Sequence, residues 1–331
     1  MKYLFLILSA AAIFSGCGTK KYFQPEGETD RLKYSGYTQA YLKDSKIDGA
    51  TLEDGSVLTS DDTLYDKIVQ GENTHFISET EDKLIASDKN TLYLFNKADR
   101  TQTTITISQR IVSASNRGNL VAAVTADNSI MMYDADTGSL LFKSKQKLSN
   151  TVASDFAKPL FFDDILVYPT LDGKIMIVDI EKKKEIREFI VSSEKYFNNI
   201  IYLERVGDRI VAATKHNLLT ITPRNTFEYK NDINAVKADG ESIYVATVDG
   251  RLIELDEMLA VKNERKFPFA GLISFNLTDE AIYIVERSGY LIKTDRHLSV
   301  FQYYELGDNV ENFLFIGKNR LYYKTRFVTL P

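Results

Sequence analysis

The side chains able to do covalent, acid–base or metal chemistry are few in this sequence, and they are scattered. Cys17 is the single cysteine of 331 residues. A thiolate is the strongest nucleophile a chain can offer, and a cysteine sulfur is also an atom that can carry a lipid. The three histidines are His75, His216 and His297. They are far apart and in no H-x-x-x-H spacing, so no zinc-binding helix is encoded. His216-Asn217 stands where a sister segment has Asp249-Gly250, which reads His216 as a turn residue. Asp61-Asp62 and Asp163-Asp164 pair carboxylates, but in turn-like surroundings where solvated acids are common. Asp134-Ala135-Asp136-Thr137-Gly138 begins like a calcium loop. Such a loop ends on a glutamate at its twelfth position, which here is Lys145. Gly-rich phosphate loops and the G-x-S-x-G elbow are missing from the sequence. The expectation is a chain with no catalytic residue, no metal site and no cofactor.

The surroundings of Cys17 give it a different chemistry. Lys2 precedes an uncharged apolar stretch, Leu4 to Ile13, too short for a membrane-spanning helix of about 20 residues. The stretch ends in Phe14-Ser15-Gly16-Cys17, with small residues that can lie extended in a peptidase cleft. This resembles the lipobox of bacterial lipoproteins, with Phe14 in the place usually held by Leu. The resemblance implies removal of residues 1–16 as a signal peptide and acylation of Cys17. A set of acyl chains anchors firmly, because each buried CH₂ contributes about 0.8 kcal/mol and one chain alone is marginal. Gly18 follows the cysteine. In such lipoproteins an Asp there favours the inner membrane, so the resemblance implies the outer membrane, facing the periplasm. Residues 18–45 are polar, with Pro25, Gly27 and Gly36, and read as part of a 17–45 tether in which Tyr34, Tyr37 and Tyr41 could also rest on the folded part.

The formal charge is −5, and about −6 once residues 1–16 are removed. A nucleic-acid binder would show a clustered basic excess. The one basic run, Lys182-Lys183-Lys184, is flanked by Glu181 and Glu185 and reads as a solvated turn.

What positions these residues is a repeat. Gly240 to Asp256 reads GESIYVATVDGRLIELD, two apolar β runs around Asp249-Gly250. Asp-Gly between β runs signals a hairpin, here expected as a type I′ turn with φ > 0 at both central residues. Related units start near 82, 118, 163, 207, 240, 279 and 318, intervals averaging about 39 residues, close to one four-stranded propeller blade. Their strands are apolar throughout, as in sheets packed on both faces. The expected fold is all-β: a propeller over residues 46–331 with four-stranded antiparallel blades. Seven blades are expected, or eight if residues 45–81 form a full divergent blade. Ala50 to Leu58 is expected to pair with the last copy, closing the ring and removing an open edge.

The units resemble pyrroloquinoline-quinone-type propeller repeats. Val245 to Asp256 matches that pattern, as does Met132 to Phe142. Together with the lipobox, the chain is similar to the BamB family, propeller lipoproteins of outer-membrane β-barrel assembly. It departs from that group in having no Trp; Phe142 and Phe189 stand in comparable places. The resemblance implies a protein-binding scaffold at a membrane, with β-barrel assembly components as partners. The alternative is a quinone-dependent dehydrogenase or a ligand sensor using the central channel. A convergent polar set at the channel mouth would favour the alternative, and a loop-built apolar or aromatic patch would favour the scaffold.

Overall fold

The computed structural model describes residues 21–71, 73–149, 152–240, 242–307, 309–311 and 313–331. Cys17 and the signal segment lie outside these residues.

The repeat forms hairpins because its apolar runs alternate with short turns. The turn at Asp249-Gly250 differs from the expected type. Only Gly250 has positive φ (83°), and its N–H bonds to the Thr247 carbonyl at 3.1 Å. This is a type I turn followed by a left-handed residue, the three-residue hairpin loop. The Thr247 hydroxyl accepts the Arg251 N–H at 3.0 Å and bonds Asp249 Oδ1 at 2.5 Å, so the Asp orders the turn instead of entering positive φ. Asn128, Gly173 and Gly289 hold the matching left-handed position in other repeats.

The described strands form eight sheets, each with four strands except one with a fifth. Blade 1 spans Leu42 to Tyr65, blade 2 His75 to Thr106, blade 3 Ile111 to Lys145 and blade 4 Leu160 to Ile190. Blade 5 spans Tyr202 to Lys230, blade 6 Ile233 to Lys266 and blade 7 Leu272 to Glu305. Blade 8 starts at Leu314 and ends at Thr329. No helix occurs among the described residues; the stretch Thr63 to Gln70 is a short strand and a turn.

Blade 6 shows why the strands are apolar throughout. Ile243, Val245, Ile253 and Leu255 pack against blade 5, while the alternate residues Tyr244, Ala246 and Leu252 pack against blade 7. Successive side chains of a strand point to opposite faces, so a sheet between two neighbours buries both sets. The innermost strands are also tied by hydrogen bonds. Ser78, Ser113 and Asn276 side chains donate to Ala114, Ala157 and Gly317 carbonyls of the next blade at 2.6, 2.5 and 2.7 Å.

The blade number corrects the expectation of seven. Ala50 to Leu58 does not pair with the last copy. It is the middle of blade 1, with Asp54-Gly55 as its turn, and Gly55 has φ of 85°. The last blade is completed by Gly36–Tyr37, antiparallel to Arg326–Thr329 in the register Gly36↔Phe327 and Tyr37↔Arg326. Gly36 is required there because the Phe327 ring lies on its α-carbon; a Cβ would sit 2.5 Å from the ring. Part of the stretch expected as tether is therefore laid on the ring. Phe23 is only 2% exposed, between blades 6 and 7, with ring centroids of Tyr290 at 5.6 Å and Phe267 at 6.2 Å. Thr29–Arg31 adds in parallel to the outer strand of blade 7.

Candidate functional site

The ring offers two places where a ligand could be held, the central channel and the rim of loops. In every blade the chain enters the innermost strand from one face. The turns between the second and third strands lie on that same face with the inter-blade loops, called here the entry face. The remaining turns lie on the exit face.

The channel carries charge, and several of its charges are paired. Lys46 pairs with Asp44 at 3.3 Å, Lys158 with Asp48 at 2.8 Å and Lys215 with Asp155 at 3.4 Å. Lys158 also donates to the Glu79 carbonyl at 2.8 Å, and Lys215 to that of Asn234 at 2.9 Å. The Lys158 and Lys215 contacts span from one blade to another, so they brace the ring. One widening of about 290 Å³ mixes Lys46 and Asp155 with Ile201, Phe275 and Phe315. Among the described residues no group of three or more His, Asp or Glu is placed to hold a metal ion.

The carboxylates singled out in the sequence sit in turns. Asp134 Oδ1 accepts the Thr137 N–H and hydroxyl, both at 2.8 Å, and these hold its carboxyl below the usual range. Lys145 pairs with Asp127 at 3.6 Å, and Asp136 with Asn119. Asp163 and Asp164 form the turn after Phe162, with Asp163 3.4 Å from Arg205. His216 Nε2 is 3.1 Å from the Tyr196 carbonyl oxygen and its Nδ1 is 3.8 Å from Asp232. His75 opens the inner strand of blade 2, and His297 lies in an exit-face turn of blade 7. The three histidines are thus as separate in space as in sequence.

Asp61 and Asp62 differ from each other. The Thr59 hydroxyl holds the Asp61 carboxyl below its ordinary range, whereas burial pushes that of Asp62 up. Asp62 has φ of 68° and is wedged at the seam of blades 1 and 8, where it accepts the Asn319 N–H at 2.7 Å. Its other carboxylate oxygen is buried without a hydrogen bond. A raised carboxylate contributes stability below its unfolded pKa and loses it as pH rises through the folded value. Asp62→Asn keeps the acceptor, tolerates positive φ and removes the buried charge. The variant is expected to melt higher than the parent at pH 7, with the difference shrinking toward pH 4 in melting curves across that range.

The entry-face rim is different in kind. Tyr196 and Phe197, in the loop from blade 4 to blade 5, are both exposed, Phe197 at 48%. Phe197 is held at φ of 51°, a region in which a bulky side chain is strained. The next two residues supply the restraint. Asn198 is buried and donates to the Ser192 carbonyl at 2.8 Å. Asn199, fully buried, accepts the Ala153 N–H and donates to the Asp155 carbonyl, both at 2.6 Å. Two aromatics are therefore displayed by two buried amides that staple the loop beneath them. Leu148 and Ile190 are exposed on neighbouring segments of this face. The loop from blade 6 to blade 7 also holds an aromatic out in the left-handed region: Phe269 is 59% exposed at φ of 63°. Sequence reading missed both loops, because Tyr-Phe-Asn-Asn and Phe-Pro-Phe resemble any core segment until the repeat boundaries place them between blades.

A closed ring of quinone-type repeats, in blades of four antiparallel strands, makes this chain an eight-bladed propeller. The chain belongs to the family described as outer membrane protein assembly factor BamB, whose model matches residues 46–297. It is also similar to the plasminogen-binding protein PgbB of Helicobacter pylori. The strain J99 protein is 31% identical over 96% of this chain and 67% of its own length, and that of strain 26695 is 30% identical over 97% and 67%. Among solved structures, BamB from Moraxella catarrhalis aligns with a TM-score of 0.68 at 15% identity, covering 90% of this chain and 99% of the other. The C-terminal WD40 domain of Sif2 aligns at 0.66 with 13% identity, over 92% of this chain and all of the other, a likeness of fold alone.

Proposed function

We propose that this protein is a membrane-anchored scaffold of the periplasm that binds a protein partner through its entry-face rim and performs no chemistry. Acylated Cys17 holds it on the outer membrane, and β-barrel assembly components are the partner class that family membership favours. The relative's name gives a second concrete partner to assay, plasminogen. The observation that carries the reading is the Tyr196-Phe197 loop. Exposed aromatics at positive φ, stapled by buried asparagines, are costly to keep unless something binds them. Aromatic anchors in rigid surroundings dominate protein interfaces. The lipid adds to this by keeping the ring near other membrane-held proteins, which raises their effective concentration.

The variant Phe197→Asn separates binding from folding. Asn enters the left-handed region more readily than Phe, so the variant should melt at or slightly above the parent temperature. Capture of the partner after mild crosslinking in native membranes should fall at least about tenfold, the equivalent of about 1.4 kcal/mol for one lost anchor. Unchanged capture by a folded Phe197→Asn,Tyr196→Ser chain counts against the rim. Turnover of an alcohol or sugar by the purified protein with added quinone and calcium counts against the scaffold reading altogether. Mass spectrometry of the mature chain should find Cys17 acylated at its amino terminus; a free thiol there removes the anchor from the account.

A further inference from the structure

The path of the amino-terminal arm says which side of the ring faces the lipid. The arm crosses the outside of blades 6 and 7 with Phe23 buried between them and Glu26 paired to Arg265. Going toward the amino terminus it reaches the entry face at Lys21, whose ammonium lies 5.4 Å from the centre of the Phe269 ring. The arm is fixed on the ring to within a residue or two of Lys21, because Phe23 is part of the core. Cys17 is four residues before Lys21, and four extended residues reach at most about 14 Å. A lipid on Cys17 therefore leaves little freedom: the entry face at blades 6 and 7 must lie within that distance of the bilayer.

The surface at this place has the composition of an interfacial contact. Tyr22, Phe269 and Val248 are exposed together with Lys21. Val248 and Phe269 belong to one continuous stretch of the face, which the arm reaches at Lys21. The turn holding Val248 is bonded to the next loop, with the Phe267 N–H on the Gly250 carbonyl at 2.8 Å, and that loop carries Phe269. Gly250 has no room for a Cβ, which would fall 2.8 Å from both the Phe267 and Ala270 carbonyl oxygens, so the turn and the loop move as one. Tyr and Phe sit at the boundary of headgroups and acyl chains with their apolar bodies in and their edges wet, and Lys extends its ammonium to the headgroups. On the opposite side of the same blade Met258 and Val261 are exposed beside the charged Glu257 and Lys262, with no aromatic among them.

We infer that the entry face of blades 6 and 7 rests on the membrane surface, with Tyr22, Val248 and Phe269 in the interfacial layer. The inference rests on the acylation of Cys17 proposed above. It gives the partner site a direction. The Tyr196-Phe197 loop, on the same face beyond blade 5, then also points toward the bilayer, where the periplasmic surface of a membrane-embedded protein would meet it.

The test uses the full acylated chain in vesicles of phosphatidylethanolamine and phosphatidylglycerol. Because Cys17 is the only cysteine and is blocked by its lipid, one new thiol can be labelled cleanly. Val248→Cys and Met258→Cys place an environment-sensitive fluorophore on opposite faces of blade 6, at positions 63% and 55% exposed. Spin-labelled lipid should quench the label at 248 several-fold more than the label at 258. Adding Tyr22→Ser and Phe269→Glu should lower the 248 signal several-fold while the protein still floats with the vesicles. Flotation with equal quenching at the two positions, or with quenching at 248 that ignores those two substitutions, overturns the inference and leaves the anchor standing. Failure of the unsubstituted chain to float overturns the anchor and the inference together.

Discussion

Deleting Lys318–Pro331 is expected to unfold the ring as a whole. The deletion takes away Arg320–Tyr323 and Arg326–Thr329, the two strands that carry blade 8, and with them the partner of Gly36–Tyr37. Leu42, Ala50, Leu52 and Leu58 of blade 1 lose Tyr322 and Phe327, against which they pack. Each large side chain removed from a core accounts for about 1.5–3 kcal/mol of burial, and Leu321, Tyr322, Tyr323 and Val328 go together. Their sum is comparable to the whole stability of a folded domain, about 5–15 kcal/mol. Removing residues 21–41 should have a similar outcome from the other end, since it strips the closing strand from blade 8 and Phe23 from between blades 6 and 7. Both truncations are expected to lose the cooperative thermal transition seen for the parent. A sharp transition near the parent temperature in either one would mean that the ring does not depend on this closure.

The second large effect is expected at Gly173, the left-handed residue of the blade 4 turn, with φ of 87°. A Cβ there would overlap the Ser192 carbonyl oxygen and the Asn198 side chain. Those groups hold the loop that displays Tyr196 and Phe197. Gly173→Val adds the cost of a β-branched residue at positive φ to the cost of overpacking, together about 3 kcal/mol or more. The melting temperature should drop by about 6–12 °C, using the slope for larger domains. Asn198 is also expected to lose its bond to Ser192, so capture should fall even at temperatures where the variant is folded. Gly207→Val is the control. Gly207 also has positive φ (64°), but nothing lies within 4 Å of its Cβ position, so it carries the backbone cost without the clash. Equal losses at the two positions would mean the close packing under the rim has no energetic weight.

Most of the fold was legible because the repeat writes itself in short-range signals. Seven hairpins declare themselves by apolar runs around a turn. The eighth was present as Asp54-Gly55 between Ala50 and Leu58, but its outer strand is only Leu64–Tyr65, too short to show a β period. Closure by two residues, Gly36 and Tyr37, has no periodicity at all. It depends on a distant Phe327 ring lying over a glycine, a tertiary fact that local patterns do not hold. The turn type at Asp249-Gly250 was misjudged for a local reason: the Thr247 hydroxyl captures the Asp carboxylate and a backbone N–H, which favours the longer loop. The rim was the least legible part. Tyr196 and Phe197 look like core residues by type, and only the burial of Asn198 and Asn199 beside them reverses the assignment. His216, His297 and the paired acids, which invite chemical readings, are in turns and ion pairs of the scaffold, and His75 opens an inner strand.

The most direct test of the central claim is site-specific photocrosslinking in native membranes from the two faces of the ring. A photoreactive side chain at Phe197 should give a discrete adduct with a membrane or periplasmic protein, and the same group at Met258 on the exit face should give none. Adducts from position 258 with none from position 197, in chains that melt like the parent, would contradict the account.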